Sequence, residues 1–166
     1  MKRILLLLVA IAGWVNMTAQ TTVATVNRET LLHGLPEYAT AQAELKSLSD
    51  AYRQEYTAMQ RDFNDKYADY QETVNGDTPA TIRDRRIKEL QDLDNKLKDF
   101  RRASEDDLTV RRDALLAPLH QAIDAAIASV AAERGIDLVL DVSKTPVAYA
   151  GASVVDITGS VASSLK

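Results

Sequence analysis

The strongest constraint on this chain is one long, polar, nearly unbroken helical stretch that doubles back on itself. It runs from about Glu37 to Arg134 and is interrupted at Asn75-Gly76-Asp77-Thr78-Pro79. With the interruption as the tip, residue i on one leg faces roughly residue 154 − i on the other, which sets Pro36 opposite Pro118. Two prolines at one level mark the base of an arm, where the chain leaves and re-enters a body. An outward leg of ~37 residues is ~55 Å long at the rise of an α-helix. A lone arm of that length buries little core, so the chain is expected to work by reach and grip.

The outward leg carries an apolar stripe: Leu45, Leu48, Tyr52, Tyr56, Met59, Phe63, Tyr67, Tyr70 and Val74. The spacings alternate three, four, four, an eleven-residue repeat with a period of about 3.67, so the seam stays nearly straight. Gly76 is expected to end this helix as its C′ residue. Thr78 and Pro79 then start the return leg, as N-cap hydroxyl and first helical residue. The return stripe is Ile82, Ile87, Leu90, Leu93, Leu97 and Phe100. It thins at Ser104, Leu108, Arg111 and Leu115, where two of the four are polar. Few apolar contacts hold that stretch, which predicts local flexibility.

The tyrosine-rich stripe has two readings. It fills the seam between the legs, as stripes at helical spacing commonly do. It also forms an adaptable gripping face, because tyrosine joins apolar area to a wet tip and methionine re-packs around varied partners. A two-helix arm cannot cover its aromatics completely, so both readings hold in part.

Pro118 is expected to break or kink the return helix. Beyond it Leu119, Ile123, Ile127 and Val130 form a strong stripe, and Gly135 ends the helix. Strands are expected at Thr21–Val26, at Ile136–Val142 with Ile136, Leu138, Leu140 and Val142 on one face, and at Pro146–Ala150. A short amphipathic ending follows, with Val161, Ala162 and Leu165 on one side. The fold class is therefore α+β: a small β-rich body, 20–36 with 118–166, and a long antiparallel helical hairpin, 37–117. So small a body, with no disulfide, is expected to self-associate.

Residues 1–19 read as a signal peptide: Lys2 and Arg3, then the apolar run Ile4–Ala12, with cleavage after Ala19. No further membrane span is expected. The chain has no cysteine, which excludes a lipid-modified cysteine and any disulfide. Lys+Arg number 20 and Asp+Glu 24; removing Lys2 and Arg3 leaves 18 against 24, a mature charge of −6. That argues against nucleic acid and weakens any claim on anionic lipid. His33 and His120 lack metal-ligand spacing, no phosphate loop or nucleophile motif occurs, and Glu105-Asp106-Asp107 diverge around a helix. Hence no enzyme, no cofactor and no metal are expected.

Four segments resemble the OmpH/Skp-like family of periplasmic chaperones. They are Thr22–Asn27 after the signal peptide, Leu35–Leu45 at the entry to the long helix, Pro118–Asp141, and Val147–Ala150 with Val155–Thr158. The resemblance implies a homotrimer whose three hairpins enclose a cavity, and a holdase that carries unfolded outer-membrane proteins across the periplasm without ATP. The stripes then put client contacts on Tyr52, Tyr56, Met59, Phe63, Tyr67 and Tyr70, and the body and trimer interface on Val23, Val26, Leu119, Ile123, Ile127, Leu138 and Leu140. Well-known members are basic and use that charge on acidic clients and lipopolysaccharide. This chain departs from them: acids beside Arg83, Arg85, Arg86, Lys88, Arg101, Arg102, Arg111 and Arg112 cancel the field beyond a Debye length of ~8 Å. From a different class, an envelope adaptor docking one folded partner through the same arm fits the same pattern.

Overall fold

A computed structural model describes residues 21–166, and the expected signal peptide lies outside the described residues. In chain order the elements are β1 (Val23–Val26), α1 (Arg28–His33), α2 (Pro36–Thr73), α3 (Ala80–Arg134), β2 (Leu138–Asp141), β3 (Val155–Asp156) and α4 (Thr158–Ser164). The fold is mostly helical, with a small sheet and a hairpin of two long helices. Two compact units divide it: an arm, Leu32–Ala122, and a body of Ile123–Lys166 with the described residues up to Leu31.

In the body the strand order is β2-β1-β3, with both pairings parallel. Parallel neighbours need a crossover between them, and here the chain between β1 and β2 contains all of α2 and α3. Thr22 anchors one end of the β1–β2 ladder: its carbonyl accepts from Asp137 N–H at 2.9 Å, and its own N–H donates to Asp137 Oδ2 at 2.8 Å. Alternation along β1 turns Ala24 and Val26 inward, where both are buried. Leu31, Ile123, Val130, Ile157 and Val161 complete the body core. Full burial of each Val or Ile contributes roughly 1.5–3 kcal/mol.

The strand expected at Pro146–Ala150 does not form; the third strand is Val155–Asp156. Both edges of the central strand are taken, by β2 and β3, and residues 144–150 lie exposed without a ladder partner. Polar side chains tie the strand ends instead. Asp156 Oδ1 accepts from the Thr158 N–H at 2.9 Å and from its hydroxyl at 2.6 Å; the Thr158 hydroxyl oxygen accepts from Asn27 N–H at 2.9 Å. Asn27 Oδ1 in turn caps α1 through Thr30 N–H at 2.9 Å.

Pro118 lies inside α3 without ending it, contrary to expectation. Proline removes one backbone bond and crowds the carbonyl four residues back, at a cost of about 3 kcal/mol. Once a helix is nucleated, each further residue adds its own bond, and the long ladder on either side carries one missing link. Gly135 does end α3, at φ +61°, in a left-handed cap: Ile136 N–H donates to Ala131 O at 2.9 Å and Gly135 N–H to Ala132 O at 3.3 Å.

The hairpin tip is also built differently from expectation. Helix α2 ends at Val74, in an extended conformation, and Gly76 is not left-handed. Asn75 makes the turn: its Oδ1 accepts from Asp77 N–H at 2.9 Å, and its N–H donates to Thr78 Oγ1 at 3.0 Å. Thr78 is thus occupied within the turn. The Pro79 carbonyl receives the first helical N–H groups, from Ile82 and Arg83, so Pro79 itself holds the N-cap position.

Candidate functional site

The two legs meet along the expected stripe. Leu97 is buried, and Tyr52, Tyr56, Met59, Phe63 and Tyr70 are half-buried, while Tyr67 stays 46% exposed. On the return leg Ile87, Leu90, Leu93 and Phe100 are half-buried and Ile82 is exposed. Aromatic packing is mixed. The Tyr52 ring meets Phe100 of the other leg edge-on at 6.0 Å, whereas Phe63 and Tyr67 stack along their own helix at 6.2 Å. Helix pairing therefore covers one side of the stripe and leaves much of the ring area at the surface.

Polar clasps cross between the legs where the stripe thins. Arg111 donates to Glu44 from two nitrogens, at 2.8 and 2.6 Å. The Tyr52 hydroxyl donates to Asp107 at 2.7 Å, and Arg86 pairs with Asp69 nearer the tip. The bond to Asp107 pushes the Tyr52 hydroxyl above its ordinary pKa, because that carboxylate stabilises the protonated phenol; burial adds to the effect. Glu44 with Arg111 and Asp69 with Arg86 each fall within one residue of the 154 − i pairing. Applying that rule to charges as well as to apolar residues would have found both clasps.

Other arm charges pair along a single helix, as in Lys46–Asp50, Arg85–Glu89, Lys98–Asp94 and Arg101–Glu105. The Lys46 bond holds the Asp50 carboxyl below its usual range. Such exposed pairs contribute about 0–1 kcal/mol each. Both signs are interleaved along the arm, which is net acidic, with 14 basic against 18 acidic residues over 37–117. Open grooves lie along the arm, one of about 510 Å³ beside Leu48 and Arg111 and one of about 240 Å³ beside Tyr70 and Leu90. Charged residues make up half the lining of the first and most of the second, unlike the apolar clefts that hold small molecules.

The body residues proposed from sequence separate into two groups. Val26 and Ile123 are fully buried within this one chain, and Ile127 is half-buried. Val23 pairs in register with Leu138, so these two share the outward face of the sheet with Leu140. Leu138 and Leu140 are 47% and 40% exposed. Leu119 falls in the arm unit, half-buried. By length and composition alone α3 includes a stretch apolar enough to cross a membrane. The same helix supplies Ile123 and Val130 to the body core.

No group of His, Cys, Asp and Glu among the described residues is arranged to hold a metal. The arm thus presents a half-covered aromatic stripe among charges of both signs. The sequence profile of the family described as outer membrane protein (OmpH-like) matches residues 22–165, and the chain belongs to that family. The family is periplasmic and its chaperones are not enzymes. A crystal structure from Caulobacter crescentus, described as an outer membrane chaperone (OmpH-like), is similar with a TM-score of 0.65. It is 16% identical, and the match covers 87% of this chain and 83% of that one, a likeness of fold. No protein of curated function matches this chain.

Proposed function

We propose that this chain is an ATP-independent holdase. It keeps unfolded outer-membrane proteins soluble in the periplasm, within a cavity between the hairpin arms of a homotrimer. The observation that carries the proposal is the α2 stripe: tyrosine, methionine and phenylalanine side chains only partly covered by the opposite leg, among charges that pair with one another. Such a surface offers many weak, sequence-tolerant contacts. Three arms around one client multiply them through high effective concentration, and each contact stays weak enough to let go.

In this reading 37–117 is the arm and 20–36 with 118–166 the trimerisation body. The outward sheet face, with Val23, Leu138 and Leu140, is the surface that three copies would bury, and covering it would stabilise a body too small to be robust alone. The signal peptide directs export across the inner membrane and is cleaved after Ala19. Tyr52, Tyr56, Met59, Phe63, Tyr67 and Tyr70 hold the client, with Tyr67 the most available. Pairing of Arg85, Arg86, Arg101, Arg102 and Arg111 with neighbouring acids, on a chain of net acidic charge, makes lipopolysaccharide or anionic lipid a poor partner.

The test dilutes a urea-unfolded outer-membrane β-barrel protein into buffer with and without the mature chain and follows light scattering. Suppression near one trimer per client, without nucleotide, is the expected result. Unchanged aggregation at several-fold excess would overturn the proposal in favour of an adaptor with one folded partner.

A further inference from the structure

The turn between α2 and α3 assembles a reactive amide. Asn75-Gly76 is the one Asn-Gly pair in the chain. Within the turn the Asn75, Asp77 and Thr78 N–H groups all donate hydrogen bonds, and the Gly76 N–H does not. That nitrogen is therefore uncommitted. A Cβ at Gly76 would meet nothing within 4 Å, so no neighbouring side chain crowds that residue. The electrophile beside it is polarised: Asn75 Oδ1 accepts from Asp77 N–H at 2.9 Å and from the Thr78 hydroxyl at 3.4 Å. Donors aimed at an oxygen that gains charge in the transition state lower the barrier to attack on its carbon.

We propose that Asn75 is a self-modifying site, at which the Gly76 backbone nitrogen displaces the side-chain amide and the chain becomes aspartate or isoaspartate. The Gly76 nitrogen bonds to Asn75 Cγ and loses its proton. The Cγ–Nδ2 bond breaks, and the side-chain NH2 departs with that proton as ammonia, leaving a cyclic imide. Solvent water then opens the imide at either carbonyl. Opening at Cγ gives aspartate; opening at the backbone carbonyl gives isoaspartate, with the main chain running through the former side chain. No oxidant or reductant takes part.

The other described asparagines are poor substrates. Asn64 and Asn95 lie within α2 and α3, where the next N–H is committed to the helical ladder. Asn27 spends its Oδ1 on Thr30, and the following N–H donates to Asp141 Oδ1 at 3.4 Å. Conversion at Asn75 adds one negative charge beside Asp77. In the isoaspartate product the lengthened backbone cannot keep both the Asn75–Thr78 and Asn75–Asp77 bonds, so the tip turn loosens.

The experiment incubates the folded mature chain under warm, mildly alkaline conditions and maps its peptides by mass spectrometry that separates aspartate from isoaspartate. The tip peptide is expected to lose its amide, with matching ammonia release, while Asn27, Asn64 and Asn95 keep theirs. Gly76→Ala needs no left-handed backbone and meets no neighbour, so it should fold unchanged by circular dichroism and lose most of the conversion. Retention of the Asn75 amide in the folded chain, over a time in which the urea-unfolded chain converts, would overturn the proposal. Conversion of Gly76→Ala at the unaltered rate would overturn it as well.

Discussion

Replacing Tyr67 with serine and Leu97 with alanine separates the two duties of the arm stripe, covering a seam and holding a client. Leu97 is the most buried side chain of the return stripe, with 9% of its surface exposed. Leu→Ala in a buried site costs about 2–5 kcal/mol. A two-helix seam collapses partly onto the gap, which puts this site near 2–3 kcal/mol. Tyr67 is 46% exposed, and its recorded partners are Phe63, one turn before it, and Gln71, whose amide donates to its hydroxyl at 3.1 Å. Pairs one turn apart on a helix contribute roughly 0.2–0.5 kcal/mol each, so Tyr67→Ser costs about 1 kcal/mol or less. Urea unfolding followed by circular dichroism reads both. With a slope of roughly 2 kcal/mol per molar urea, Leu97→Ala lowers the midpoint by about 1 M and Tyr67→Ser by less than half of that. Aggregation suppression, normalised to folded protein, should show the opposite order: near-normal for Leu97→Ala, weakened for Tyr67→Ser. A destabilised Tyr67→Ser with intact holding would show that the stripe is seam alone, and the reasoning from its exposure would fail.

Three further outcomes follow from the backbone and the body. Pro118→Ala restores a helical N–H and should stabilise α3 by up to about 3 kcal/mol, seen as slower hydrogen exchange on both sides of the site. Gly135→Ala forces a side chain into φ +61° and should cost about 1–2 kcal/mol in urea unfolding; Gly76→Ala, with no such φ, should be near-neutral. The Asp141 and Asp156 carboxyls both sit below the ordinary 3.8. At Asp141 burial alone would raise the value, and donors from Ser143 and Arg28 outweigh it; at Asp156 the Thr158 hydroxyl and N–H lower it. Folded values below the unfolded one stabilise the body above about pH 3.8, and that stability is lost as pH falls through the lowered values. Asp156→Asn should therefore flatten the acid limb of a stability–pH curve.

Local rules reached furthest along the arm. The period of the stripe and the turn residues at 75–79 set two legs whose pairing came within one residue of the Glu44–Arg111 and Asp69–Arg86 clasps, because spacing along a regular helix converts directly into position. Gly135 was legible for a similar reason, since a left-handed cap favours the one residue without a Cβ. Gly76 misled, as Asn75 could build the turn with its own side chain. Pro118 misled because a local penalty was outweighed by the helix around it. The third strand was misplaced from Val155–Asp156 to Pro146–Ala150, as two residues gain strand character only from the partner beside them. The parallel sense of the sheet was likewise invisible to periodicity, which reports faces and not directions. At the candidate site the spacing of the stripe was legible, while the Tyr52–Asp107 bond rests on a hydroxyl reaching across to the opposite leg.

The parallel pairing of β1 with β2 sets an order of events for a newly made chain. Thr22 and Asp137, which bond to each other at the end of that ladder, lie 115 residues apart in sequence. Past β1, the chain between them is almost all helix and tip, made of contacts that close locally and quickly. The first strand emerges early and has nothing to pair with until the last quarter of the chain arrives. The hairpin can be complete while the sheet is still waiting, and closing so wide a loop becomes the slow step. A chain stalled before residue 138 would present a formed arm and a lone strand, and residues 138–156 decide whether there is a base at all.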